Sequence, residues 1–310
     1  MNLKYDVLII DTNNFYARAF DVCKKSTKGI SIINQTIQLT FEMILKLKRE
    51  FLDDNGIIYC LADNPTSKIK VRKQLDSSYK SSRPKESDGY YRGIDYLLLI
   101  AQKYSSQFKT LRIKRLEADD LVPKIISLNP DKFILLCSSD LDWARCMSDK
   151  SDWYNFSKVY TNKIFYDEYK FYPNEKTVTL MKVLLGDKSD EIPAIKGINY
   201  QTMLNIVDNF DDIFEVIDCV LNHKEKSKLL SEFTKTTILH NKERLITNHN
   251  LVYFCEIDND EIKQTIIDGD FNEQALTTLY SALDFPENFD KRIKTRSKKL
   301  SFGFEDIPRK

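Results

Sequence analysis

The sequence predicts an α/β fold: an open, mostly parallel sheet with helices on both faces, followed by a mostly helical C-terminal region. Three short apolar runs carry the first half of that reading. Residues 5–10 (YDVLII), 57–62 (IIYCLA) and 133–138 (FILLCS) are rich in β-branched and aromatic residues and bounded by polar ones. They are near-continuous in apolarity, as strands covered on both faces are. Between the first two, Phe41, Ile44, Leu45, Lys48 and Phe51 share one helical face over residues 40–52. Residues 94–104 and 118–128 have the same spacing. Strands alternating with helices imply a doubly wound parallel sheet. Past about residue 175 the pattern changes. Helices are expected over 176–185, 200–209, 211–222, 224–246 and 272–284, with one strand signal from Leu251 to Glu256. This divides the chain into a sheet-bearing domain over 1–185 and a helical region over 186–310.

Composition agrees. The 310 residues leave room for one large or two medium domains. With 18 Phe, 16 Tyr and 42% hydrophobic residues, burial can offset the entropy of ordering, so disorder as the main state is excluded. No apolar run approaches the roughly 20 residues a membrane-crossing helix needs. The start Met1-Asn2-Leu3-Lys4-Tyr5-Asp6 has no charged-then-apolar leader, so a cytoplasmic protein without membrane contact is expected. Forty-seven Lys and Arg balance 46 Asp and Glu, so only the distribution of charge can speak to partners. The six cysteines are scattered without a Cys-x-x-Cys pair and are read as reduced core residues.

The carboxylates fall in a telling place. Asp11 and Asp63 end the first two apolar runs, and Asp140 and Asp142 follow the third. In an open parallel sheet those loops converge on the carboxyl edge, where such folds keep their sites. Glu117, Asp119 and Asp120 open a helix, and Asp187 and Asp190 sit where the helical half begins. Taken singly, the last two clusters read as helix caps and a polar turn. Together, so many like charges at one edge repel strongly unless cations lie among them. Oxygen ligands select Mg²⁺ or Mn²⁺, and zinc is disfavoured because His223, His240 and His249 all lie away from the acids. Two such ions suit phosphodiester hydrolysis without a Ser, Cys or His nucleophile.

Cations are placed to meet a phosphate. Between Asp63 and Lys85, seven basic residues (Lys68, Lys70, Arg72, Lys73, Lys80, Arg83 and Lys85) oppose only Asp63 and Asp76. Tyr79, beside Lys80, offers a stacking surface for a base.

Four blocks in order, IIDTNNFYARAF (9–20), ADNPTSKIKVRKQLDSSYKSSRP (62–84), LEADDLV (116–122) and SSDLDW (138–143) with LLGDKSDEIPAIKGI (184–198), resemble the 5′→3′ structure-specific nucleases. These include flap endonucleases, polymerase 5′-nuclease domains and, most similar, ribonuclease H of the T-even-phage type. The resemblance implies a nuclease domain over 1–185 with an arch at about 68–100. Asp11, Asp63, Glu117 and Asp119 would surround one metal, and Asp140, Asp142 and Asp190 a second, with Asp187 nearby and Asp120 in the same cluster. Arg72, Lys80 and Arg83 would clamp the scissile phosphate, with Lys73, Tyr79 and Lys85 along the nucleic acid. Residues 192–203 resemble the family's helix–turns–helix element, with Lys196 and Gly197 at duplex phosphates and a K⁺ ion. Asn199 stands there in place of the usual second glycine, and the turn is expected to survive because Asn tolerates left-handed geometry. The basic tail from Lys291 to Lys299 would lie on duplex backbone, and Leu300, Phe302 and Phe304 either resemble a clamp-docking peptide or belong to a tail that packs on the helical half or stays disordered.

The implied activity is Mg²⁺-dependent 5′→3′ hydrolysis at 5′ ends or flaps of DNA and RNA–DNA duplexes, removing RNA primers in replication. A monomer is expected, with a single-strand-binding protein or sliding clamp as further partners. Three alternatives stay open: a simpler metal-dependent ribonuclease, a catalytically silent DNA-binding accessory, and a small-molecule phosphatase. The last usually carries a nucleophilic Asp-x-Asp after its first strand, where this chain has Asp11-Thr12-Asn13.

Overall fold

The computed structural model describes residues 4–25, 31–64, 69–83, 86–114, 116–286 and 289. Lys68, Lys85, the side chain of Lys70 and the tail from Lys291, with Leu300, Phe302 and Phe304, lie outside the described residues. The strands are β1 (Tyr5–Asp11), β2 (Leu52–Leu61), β3 (Phe108–Leu111), β4 (Ile134–Cys137), β5 (Ser151–Tyr154), β6 (Val159–Tyr160) and β7 (Ile267–Asp268). They form one sheet in the order β6-β5-β4-β1-β2-β3-β7. The five central strands are parallel, and β6 and β7 pair antiparallel at the two edges. The three runs recognisable in sequence are the central three, β4-β1-β2. The short outer strands carry too few residues to declare themselves.

The helices are α1 (Thr12–Lys24), α2 (Ile32–Phe51), α3 (Ile69–Leu75), α4 (Asp88–Tyr104), α5 (Ala118–Ser127), α6 (Asn162–Tyr169) and α7 (Glu175–Leu185). They continue as α8 (Tyr200–Asn209), α9 (Ile213–Leu221), α10 (Glu232–His240), α11 (Lys242–Val252), α12 (Asn259–Thr265) and α13 (Glu273–Ala282). Side chains alternate across the sheet. Leu8, Ile10, Ile58 and Cys60 face a layer made with α2, α4 and α13, while Val7, Ile9, Tyr59 and Leu61 face α5, α7 and the C-terminal helices. One apolar cluster runs unbroken from Ile9 and Leu136 to Ile206, Val216, Ile238 and Leu245, so the sheet and the helical region share a core across residue 186.

Two expectations are corrected. Residues 224–246 are not one helix: a 3₁₀ turn at Glu225–Leu229 and a Ser231 cap break it, because Ser231 Oγ accepts the Thr234 N–H and starts α10 afresh. Leu251–Glu256 is not a strand but the end of α11 and an extended stretch leading away from it. Of the arch expected at about 68–100, residues 88–100 are helical. They belong to α4, whose Ile94, Leu97 and Ile100 are fully buried in the first layer. None of the six cysteines is in a disulfide, and Cys60 and Cys137 are deep in that core. Among the described residues no helix is long and apolar enough to cross a membrane.

The parallel order reverses between β1 and β4, which run side by side with their carboxyl ends open to the same crevice. Opposite that crevice α7 stops at Gly186, which takes φ +74° and donates its N–H to Lys182 O. A Cβ there would lie 2.5 Å from both Ala194 N and Ile192 O, backbone atoms that cannot swing aside. Gly186→Ala is therefore expected to lower stability by about 1–3 kcal/mol, read from the urea midpoint. An unchanged midpoint would mean the turn does not need its left-handed residue.

Candidate metal centre at the carboxyl edge

Each acid reaches the edge on a different element. Asp11 ends β1 and caps α1, accepting the Asn14 N–H at 3.0 Å, while its other oxygen accepts Ser138 Oγ at 2.7 Å from the end of β4. That second bond crosses the point where strand order reverses. Asp63, just past β2, accepts the Ala118 N–H at 2.9 Å and so ties the β2 loop to the start of α5. Asp140 accepts the Asp142 N–H at 2.9 Å, turning the chain so that both carboxylates enter the crevice. After Gly186, Asp187 and Asp190 come in from the far side. One oxygen from each of Asp142, Asp187 and Asp190 lies within 4.8 Å of the others.

The charges answer one another. Burial first, then Asp63 and Asp140, push the Asp11 carboxyl up to about 7, against the bonds from Ser138 and Asn14. Burial, Asp120 and Glu117 hold Asp119 well above the carboxylate range, and burial with Asp142 raises Asp140. Asp142 and Asp187 move the other way. Burial would raise both, but the Lys182 ammonium, 2.6 Å from an oxygen of each, holds them down.

Lys182 and Arg145 are the residues that sequence reasoning missed. Lys182 is 3% exposed on α7 between Met181 and Val183, and Arg145 is 3% exposed beneath Asp142. Arg145 also donates to Val252 O and lies over the Phe254 ring. A lone lysine inside an apolar helical run was the available signal, since a charge is rarely buried unpaired.

The basic segment reaches the same crevice, with corrections to the roles expected of it. Arg72 is buried. Its guanidinium pairs with Glu117 and Asp120 and donates to Tyr253 O. Asp120 already accepts from Arg72, Cys255 N and Glu117 N, so it holds Arg72 and closes the capping box of α5 with Glu117. Tyr79 has no face for a base. It is 2% exposed, packed on Ile192, Leu251 and Val252, with its hydroxyl 3.1 Å from Asp190 and 3.3 Å from Glu117. Lys80 bonds Glu117 at 2.9 Å and lies 3.3 Å from Asp190. Burial would lower it, yet Glu117, Tyr79 and Asp190 keep it firmly protonated. Arg83 reaches Asp190 at 2.7 Å while its side chain stays 45% exposed. Lys73 is exposed on the outer side of α3.

Lys196 and Gly197 lie outside this cluster, exposed in the turn before α8. Gly197 takes φ +96° against the Phe233 ring. Asn199 is not left-handed: at φ −98° it is the cap of α8, and its side chain accepts the Thr202 N–H at 2.8 Å. That bond occupies one of the helix-start donors.

Among the described residues, nine carboxylates meet five cations (Arg72, Lys80, Arg83, Arg145 and Lys182) in one network. The chain's own bases thus do part of the neutralising that the sequence assigns to metal. The donors left over are hard carboxylate oxygens without His or Cys, a set that fits Mg²⁺ or Mn²⁺.

Because the folded state holds the Asp11 proton to about 7 while the unfolded chain releases it near 3.8, its contribution to stability is full below the lower value. It is lost as pH rises through the upper one. In EDTA the melting temperature should therefore fall between about pH 4 and 7, and Asp11→Asn should flatten that fall. A profile unchanged by the substitution would remove Asp11 from the crowded cluster.

Comparison with known proteins follows the same lines. The family described as 5'-3' exonuclease, N-terminal resolvase-like domain, matches residues 6–173. A 5'-3' exonuclease of Mycoplasmopsis pulmonis is 27% identical over 247 residues, covering 77% of each chain. DNA polymerase I of Pseudomonas aeruginosa is 20% identical over 306 residues, 97% of this chain, which spans only 33% of that protein's length. In fold, the chain is similar to the bacteriophage T5 D15 flap endonuclease solved with DNA and metal ions, with a TM-score of 0.60 at 17% identity over 94% of this chain and 99% of that one. With more than half its length matched, and the matched part carrying the acidic strand ends, the chain belongs to the 5'-3' exonuclease family.

Proposed function

We propose that this chain is a Mg²⁺-dependent 5′→3′ exonuclease and flap endonuclease. It hydrolyses phosphodiesters at 5′ ends of DNA and RNA–DNA duplexes, and in replication it removes RNA primers from lagging-strand fragments. The observation that carries the reading is the Asp142, Asp187 and Asp190 trio, continuous with the acids at the β1/β4 reversal and flanked by a basic segment. The likeness to a flap endonuclease solved with DNA and metal ions supports it, and the match to DNA polymerase I supports a place in replication.

Asp142, Asp187 and Asp190, with Asp140, would hold one ion, and Asp11, Asp63, Glu117 and Asp119 would hold the other. Bound there, the ions would lower the pKa of an attacking water and stabilise the leaving oxygen. Lys80 and Arg83 orient the scissile phosphate and offset its developing charge, exchanging a carboxylate partner for a phosphate oxygen. Arg83 is the more exposed of the two, and Lys80 is buried. The exposed turn at Lys196 and Gly197, with α8 behind it, is the proposed helix–turns–helix contact to duplex backbone and the site of a K⁺ ion.

A 5′-labelled flap duplex and an RNA–DNA hybrid, each incubated with Mg²⁺ and with EDTA, test the reading. Cleavage from the 5′ end in Mg²⁺ alone is expected, and cleavage that persists in EDTA would falsify it. Asp140→Asn and Asp63→Asn should abolish turnover while flap binding survives. Lys80→Ala should slow single-turnover cleavage by roughly 10²-fold or more with little change in affinity. An effect confined to affinity contradicts the role given to Lys80.

A further inference from the structure

The residue before the proposed phosphate clamp is buried, and Lys80 itself takes a conformation that few residues adopt unaided. Its φ is +50°, in the left-handed region that costs a residue with a Cβ. Surroundings must therefore hold it. Its N–H donates to Asp190 O at 3.2 Å, and the turn leading into it is built on Asp76. Asp76 N donates to Arg72 O, and Asp76 O accepts the Tyr79 N–H, so the residue closes α3 and opens the turn. Its carboxylate works in two directions. One oxygen accepts Ser78 N at 2.9 Å and Ser78 Oγ at 2.6 Å, shaping the turn from within. The other accepts Arg244 Nη1 at 2.6 Å, from α11, 168 residues further along the chain.

We propose that Arg244 is a positioning residue for phosphodiester hydrolysis: through Asp76, α11 of the C-terminal region sets the turn that aims Lys80 into the acidic crevice. The inference rests on the nuclease reading above. Tyr79 is packed on Leu251 and Val252 of the same helix, so α11 supports the turn at two points. On its outer side, Glu191 accepts the Ser82 N–H at 2.9 Å and Ser81 Oγ at 3.1 Å, closing the frame. The Arg244 side chain is 42% exposed and that of Asp76 14%. An ion pair so open to water contributes little to overall stability. Its consequence lies in geometry, where a small displacement of a catalytic group is amplified in rate.

Single-turnover cleavage of the flap duplex in Mg²⁺, with the full chain, tests this. Arg244→Ala is expected to slow cleavage about tenfold, with KM within about twofold and the melting temperature nearly unchanged. Asp76→Asn, which keeps an oxygen for Ser78 but removes the charge, should match it, and Arg244→Lys should recover part of the loss. Exchanging the two charges, Asp76→Arg with Arg244→Asp, should be faster than either change alone. In a Lys80→Ala background, Arg244→Ala should add almost nothing, because the two act through one group. If Lys80→Ala is slow and Arg244→Ala is as fast as wild type, or if their effects simply multiply, the positioning role is wrong while the nuclease reading stands. If Lys80→Ala is itself at full rate, the role given to Lys80 fails first.

Discussion

Electrostatic repulsion at one sheet edge is the constraint that organises the rest of this molecule. Two like charges about 4 Å apart interact by about 4 kcal/mol at an effective dielectric of about 20, and here nine carboxylates share one crevice. Parallel strands carry several of them there, because every βα loop of such a sheet opens on the same side. The fold cannot disperse them. It answers with cations brought from elsewhere: Lys182 from α7, Arg145 from the turn after β4, and Arg72 and Lys80 from the segment between β2 and α4. Each of these bases is buried where only an acid would make burial tolerable. Acids and bases therefore depend on one another, and the carboxylate oxygens between them suit a divalent metal.

The same network explains why the helical region is not an appendage. α11 and the stretch after it supply Val252 O to Arg145, Tyr253 O to Arg72 and Cys255 N to Asp120, so backbone from residue 252 onward completes the floor of the crevice. Gly186 makes the turn that sends Asp187 and Asp190 back toward the sheet. The apolar core that passes without a break from β1 to α10 and α11 holds these two halves in register. Side chains placed from both sides can then meet within a few ångströms.

Much of the fold was legible because its signals are local. The three central strands are continuous apolar runs, and α7, α8 and α13 fall within a residue or two of their apolar spacing. What was not legible depended on competing local forces or on distant partners. Ser231 starts a new helix inside an apolar period, and β6 and β7 exist only because a neighbouring strand accepts them. Tyr79 looks like a stacking surface beside a lysine. It is an internal prop, because α11 covers its ring and two acids take its hydroxyl.

By itself, the sequence determined which residue types gather at the strand ends, and therefore that a crowd of carboxylates meets a basic segment. Strand direction and helical period suffice for that, since both are properties of short stretches. Only the tertiary structure decided the pairing: Arg72 takes Glu117 and Asp120, Lys80 takes Glu117 and Asp190, and Lys182 takes Asp142 and Asp187. That choice turns on distances of a few ångströms between residues far apart in the chain, and no local pattern encodes them.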